Sequence, residues 1–127
     1  MSPVTAKEIL IVDDDRDLQQ LLTKRLENEG FACQSALSVE EGLAKVRESC
    51  PDLIILDLGF PNADGTAFLK SARSCLPAGK GIPPVIVLTC YNDVEVRDYL
   101  IDQGASGFVP KPYDPKDLVS LIRDFLP

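Results

Sequence analysis

The feature that most constrains this chain is a set of short apolar runs alternating with segments of helical period. Glu8–Val12, Leu53–Asp57 and Val85–Thr89 each hold four or more consecutive apolar residues at about strand length. A strand with one wet face alternates apolar and polar residues, whereas a strand covered on both faces reads as a continuous run. The intervening segments carry apolar residues three and four apart, as helices packed on such a sheet require. Read along its length, the chain gives five strand–helix repeats, and that alternation implies an α/β fold: a parallel sheet with helices on both faces.

The punctuation supports this division. Leu18, Leu21, Leu22 and Leu26 recur at helical spacing, and Gly30 stops that helix. Phe31–Ser35 is a short second strand. Ser38-Val39-Glu40-Glu41 has the form of a capping box, and Val39, Leu43 and Val46 mark one face of the helix it opens. Pro51 ends that segment. Gly59-Phe60-Pro61-Asn62-Ala63-Asp64-Gly65 reads as a loop, followed by a helix over about 66–75 with Phe68, Leu69 and Ala72 inward. Leu76–Pro84, with three prolines and two glycines, reads as a linker. A fourth helix runs over about 93–103 and ends at Gly104, and Gly107–Val109 forms a fifth strand. Asp114-Pro115 opens a last helix as N-cap and N1, with Leu118, Leu121, Ile122 and Phe125 on its apolar face. With 127 residues and 45% hydrophobic content, one domain over 1–127 with its core at about 7–126 is expected.

The balance of charge excludes several functions. A net charge of −7 opposes a nucleic-acid surface, which needs clustered Lys and Arg. No stretch approaches the roughly 20 apolar residues of a membrane span. The N-terminal residues lack the pattern of a signal peptide, so a cytoplasmic location is expected. Cys33, Cys50, Cys75 and Cys90 form no C-x-x-C pair, and with no histidine in the chain His-ligated zinc sites are excluded. Four reduced thiols are the expectation.

Chemistry gathers at the carboxyl ends of the runs, where parallel sheets bind ligands. The first run ends on Asp13-Asp14, the third on Asp57, the fourth on Thr89, and Lys111 follows the fifth. Side by side, these ends bring three carboxylates together, which is costly without a cation. Oxygen ligands and retained waters suit Mg2+. A carboxylate attacks phosphorus poorly until charge repulsion is relieved, which a divalent cation and the Lys111 ammonium would do, while Thr89 would donate a hydrogen bond to a phosphoryl oxygen. Singly, each residue is commonplace: an acidic pair is often a helix N-cap, and a lysine between prolines is often a solvated loop charge. The weight lies in their joint, ordered occurrence.

In that joint pattern the chain resembles the receiver domain of two-component response regulators. The resemblance rests on Ile9-Leu10-Ile11-Val12-Asp13-Asp14-Asp15, Asp57 through Gly65, Val87-Leu88-Thr89-Cys90 and Lys111-Pro112, and covers about residues 7–126. It implies a doubly wound five-stranded parallel sheet in the order 2-1-3-4-5, of the flavodoxin and CheY-like kind. It implies that Asp57 accepts a phosphoryl group from a histidine kinase or histidine phosphotransfer protein. Mg2+ would be held by Asp13, Asp14, Asp57 and the backbone carbonyl of Gly59. Thr89 and Lys111 would contact the phosphoryl group, Phe108 would be the switch aromatic, and the Lys111–Pro112 bond would be cis. Three positions are less typical of the family: Gly59, where a larger side chain is common; Cys90, in place of Ala or Ser; and Phe108, which lacks a phenol and should prefer burial.

The resemblance further implies a signalling role. Phosphorylation would reshape the face formed by the fourth helix, fifth strand and fifth helix, which offers Val94, Val96, Arg97 and Tyr99. That face would control a downstream effector or an attached output domain, or serve a homodimer. Output through a partner or an adjoining domain is expected, since no effector segment follows Pro127. Catalysis would be limited to the domain's own phosphorylation and slow dephosphorylation, carried by Asp57, Lys111 and Thr89. A Mg2+-dependent phosphatase would need a second acid where Gly59 stands. A flavin carrier would need a Ser/Thr/Gly-rich loop after the first strand. A receiver that docks without phosphate would not require all five site residues.

Overall fold

The computed structural model describes residues 6–57, 67–72, 83–89 and 94–126. The described elements are β1 (Glu8–Val12), α1 (Arg16–Asn28), β2 (Ala32–Ala36), α2 (Val39–Ser49), β3 (Leu53–Asp57), α3 (67–72), β4 (Val85–Thr89), α4 (Val94–Asp102), β5 (Gly107–Pro110) and α5 (Pro115–Phe125). The strands form one parallel sheet in the order β2-β1-β3-β4-β5. The expected bounds of β1, β3 and β4 hold to the residue. The second strand starts one residue later than expected, because Phe31 is used to close α1: its N–H donates to Leu26 O and its ring is buried.

Strand pleating divides the core in two, since successive side chains face opposite sides of a sheet. Ile9, Ile11, Leu53, Ile55, Ile86 and Leu88 pack with Leu26 of α1 and with Leu118, Val119 and Ile122 of α5. Leu10, Val12, Ile54, Leu56, Val85 and Val87 pack with Val46 of α2, with Phe68, Leu69 and Ala72 of α3, and with Leu100 of α4. The central strands are therefore sealed on both faces, as their unbroken apolar sequence requires.

The helix ends follow local chemistry. Asp15 caps α1, accepting from the N–H groups of Asp17 and Leu18. Ser38 caps α2, accepting from Glu41 N at 3.1 Å, while the Glu41 carboxylate reaches back to Leu37 N at 3.2 Å, one residue further than the reciprocal bond of a standard capping box. Asp114 caps α5 with Pro115 at its start. Gly104, at φ +120°, supplies the left-handed residue that closes α4.

One expected face is corrected. Leu18 and Leu21 do not enter the core; they are 48% and 68% exposed. The sheet-facing positions of α1 are Gln19, Leu22 and Leu26. Four leucines at helical spacing span a wider arc than a single sheet can cover, and the two outer ones border the site instead.

Candidate functional site

The sheet register aligns the candidate residues before any side chain is considered. Val12 pairs with Leu56, Asp57 with Leu88, and Thr89 with Pro110. Asp13 therefore follows β1 at the level where Asp57 ends β3, and Lys111 follows β5 one residue past Thr89. Lys111 N donates to Thr89 O at 2.7 Å, extending the ladder to the last site residue. Pleat parity puts Asp57 on the α1/α5 side with Ile55, and Thr89 on the opposite side with Val87.

Lys111 and Asp57 form the centre. The Lys111 ammonium lies 2.7 Å from Asp57 Oδ1 and 2.6 Å from Oδ2, and the Asp57 side chain is only 7% exposed. A charge-assisted contact to both oxygens fixes the carboxylate and offsets its desolvation. The peptide bond between Lys111 and Pro112 is cis, as the resemblance implied. Thr89 is fully buried.

Asp13 is buried and accepts from Asp15 N at 2.9 Å through Oδ1. Burial pushes its carboxyl from the usual 3.8 up to about 6; the Asp15 amide opposes this, Asp57 adds to it, Lys111 opposes it, and Asp14 adds to it. Because Asp15 takes the capping role, Asp13 and Asp14 are left for other chemistry. Asp14 is exposed.

The three carboxylates are not gathered into a ready-made cage. Among the described residues no three His, Cys, Asp or Glu side chains lie close enough together to hold one metal ion. Both oxygens of Asp57 face Lys111 and Asp14 faces solvent, so repulsion is relieved by the ammonium and by water. The donor set nonetheless fits Mg2+, a hard cation that retains waters and needs only one or two carboxylates. The raised Asp13 carboxyl marks a position where added positive charge is favoured. Gly59, expected to offer its carbonyl, lies outside the described residues, as do Asp64, Cys75 and Cys90.

A groove of about 500 Å³ opens beside this centre, lined by Asp13, Asp57, Lys111 and Tyr113 and walled by Leu18, Leu21 and Leu22. Burial, then the Asp57 charge, raises the Tyr113 hydroxyl above its ordinary value, so it is a neutral donor at physiological pH. The sequence pattern did not single out Tyr113; its place after Lys111-Pro112 was the available signal. Phe108 is half-buried against the α2–α4 side of the core rather than fully enclosed. Its outer ring face is covered by Arg97, whose guanidinium carbon lies 4.3 Å from the ring centroid. That cation–π contact accounts for a partly exposed phenyl ring being stable there. Val94 and Tyr99 are exposed on α4 as expected, at 68% and 48%; the side chain of Val96 lies outside the described ones.

These features define a doubly wound α/β domain with a buried carboxylate paired to a lysine at the carboxyl edge of its sheet. The sequence profile of the response regulator receiver domain matches residues 9–123, and the chain belongs to that family, the signalling receivers of two-component systems. It is 33% identical, over 98% of its length and 94% of the relative's, to an uncharacterized 14.6 kDa protein from Leptolyngbya boryana. It is 36% identical to the DNA-binding response regulator MtrA of Mycolicibacterium smegmatis, matching 92% of this chain but 49% of that one. A CheY-like receiver domain protein from Methanospirillum hungatei superposes with a TM-score of 0.82 at 32% identity, covering 96% of this chain and 94% of that chain. Several relatives named as transcriptional regulators are about twice as long as the segment matched. Among the described residues no helix is long and apolar enough to cross a membrane.

Proposed function

We propose that Asp57 takes a phosphoryl group from the phosphohistidine of a histidine kinase or histidine phosphotransfer protein, in a Mg2+-dependent reaction in the cytoplasm. The observation that carries this reading is the Lys111 ammonium set against both oxygens of a buried Asp57. One Asp57 oxygen attacks phosphorus, the P–N bond breaks, and the departing imidazole keeps the electron pair and takes up a proton. Lys111 turns from the carboxylate to the transferred oxygens, and the Thr89 hydroxyl donates to one of them. Asp13, Asp14, Asp57 and the Gly59 carbonyl would hold Mg2+, which would supply further neutralisation of charge on those oxygens. Asp57, Lys111 and Thr89 carry the chemistry, which is confined to the domain's own phosphorylation and slow hydrolysis of the product.

The product adds about −1.5 to −2 charge and three acceptor oxygens at this edge. Thr89 moves toward them, and Phe108, already packed on the adjoining core, turns inward into the space released. Arg97 loses its ring contact, and the α4–β5–α5 face changes shape. This biases a two-state equilibrium through contacts that differ between the states. The reader of that face is a downstream effector, an attached output domain or a second copy of the chain.

Intact mass after incubation with acetyl phosphate and Mg2+ tests the reading. The expected result is the gain of one phosphoryl group, abolished by Asp57→Asn and by EDTA. A folded protein that gains no mass and also binds no beryllofluoride in the presence of Mg2+ would sink the phosphoacceptor reading, leaving a docking receiver.

A further inference from the structure

Among the described residues the buried polar side chains are Asp13, Thr89 and Gln19. The first two belong to the site already described. Gln19 is 4% exposed and lies on the sheet-facing side of α1, while the neighbouring Leu18 and Leu21 face outward. A carboxamide thus occupies a position where the helix pattern calls for an apolar residue. Burying it is costly unless its donors are met.

They are met by main-chain carbonyls. Gln19 Nε2 lies 2.6 Å from Ala36 O, 3.1 Å from Ile11 O and 3.2 Å from Asp13 O. Only the amino end of a carboxamide can face three carbonyl oxygens, and its two N–H groups must share the third acceptor. The same Ala36 O accepts from Asp13 N at 3.0 Å. Asp13 is therefore held at three points: its N–H by Ala36, its carbonyl by Gln19, and its carboxylate by Asp15 N.

We infer that Gln19 is a positioning residue for the acidic turn, its carboxamide clamping the ends of β1 and β2 so that the Asp13 carboxylate stays poised for a divalent cation. The inference rests on the Mg2+-dependent reading above. Groups that orient metal ligands without touching the metal typically change affinity by about 10–100-fold when removed. An apolar side chain of equal length would fill the space but leave the Asp13 carbonyl without this donor, and the turn would relax toward water.

The test is Gln19→Met in the full chain, read by Mg2+ titration calorimetry, urea unfolding and the amide resonance of Asp15. Leu26→Ala, buried on the same helix about two turns beyond Gln19 and outside the groove, is the control for lost stability alone. The expected result is a rise of about tenfold in the Mg2+ Kd with a shifted Asp15 amide for Gln19→Met, and an unchanged Kd for Leu26→Ala. A folded Gln19→Met whose Mg2+ Kd stays within about twofold of the parent overturns the inference, whatever its stability. Should Gln19→Met not fold, the Gln19 side-chain amide signals of the parent decide. Slow solvent exchange with a shift on Mg2+ addition supports the clamp, and rapid exchange with no response overturns it. A parent that binds no Mg2+ overturns the functional reading itself, an outcome distinct from equal binding by parent and variant.

Discussion

Replacing Asp13 by Asn should remove a pH-dependent weakness of the Mg2+-free protein. Burial, reinforced by Asp57 and Asp14 and opposed by the Asp15 amide and Lys111, lifts the Asp13 carboxyl from 3.8 to about 6. Between those values the folded protein keeps a proton that the unfolded chain releases. The associated stability is fully present below about pH 4 and is lost as pH rises through 6. A shift of this size corresponds to on the order of 3 kcal/mol at 1.36 kcal/mol per unit, a large part of a stability of roughly 5–15 kcal/mol. Asn keeps an oxygen for the Asp15 amide and carries no charge. The stability difference between variant and parent should therefore be near zero at pH 4 and grow to about 2–3 kcal/mol in favour of the variant by pH 7.5. Urea unfolding in EDTA at half-unit pH steps measures this directly. Adding Mg2+ should shrink the difference, because a cation bound only by the native parent stabilises it. A difference that stays flat from pH 4 to 7.5 would refute the account of Asp13 as a buried, unneutralised carboxylate.

Two further outcomes follow from individual contacts. A Cβ added at Gly42 would lie 2.9 Å from Val12 Cγ2 and 3.1 Å from Phe68 Cε1; overpacking of about 1–3 kcal/mol should exceed the roughly 1 kcal/mol gained from helix propensity, so Gly42→Ala should lower the urea midpoint, and an unchanged or raised midpoint would contradict the close approach of α2 to β1. Lys111→Met removes the cation from both Asp57 oxygens and should slow phosphoryl uptake from acetyl phosphate on the order of a hundredfold, with a rate within twofold of the parent telling against a role for the ammonium.

The regular parts of the fold were legible because their signals are local. β1, β3 and β4 carry continuous apolar runs of strand length between turn signals, the pattern expected of strands buried on both faces. Ser38 and Asp114 announced their helices because a side-chain oxygen at the N-cap acts within one turn. The α1 face was misread for the complementary reason. Periodicity shows which residues share a helix side, but the sheet edge decides how much of that side is covered. Leu18 and Leu21 lie beyond that edge, and Gln19 lies beneath it, although no hydropathy pattern would place a glutamine there.

What the sequence determined alone is the set of chemical groups and their order: carboxylates just after the first strand and at the end of the third, a hydroxyl at the end of the fourth and an ammonium after the fifth. Parallel strands of nearly equal length force such end residues to one edge, so their convergence was implicit in the pattern. The tertiary structure decided how these groups share their charge. Asp57 is neutralised by Lys111 across 54 residues of sequence, while Asp13 is left buried beside it with a raised carboxyl and Asp14 remains in water. It also decided that Phe108 lies half-open beneath Arg97 and that Gln19 joins β1 to β2. Each of these depends on distances between elements far apart in the chain, and desolvation and Coulomb energy follow those distances rather than the order of residues.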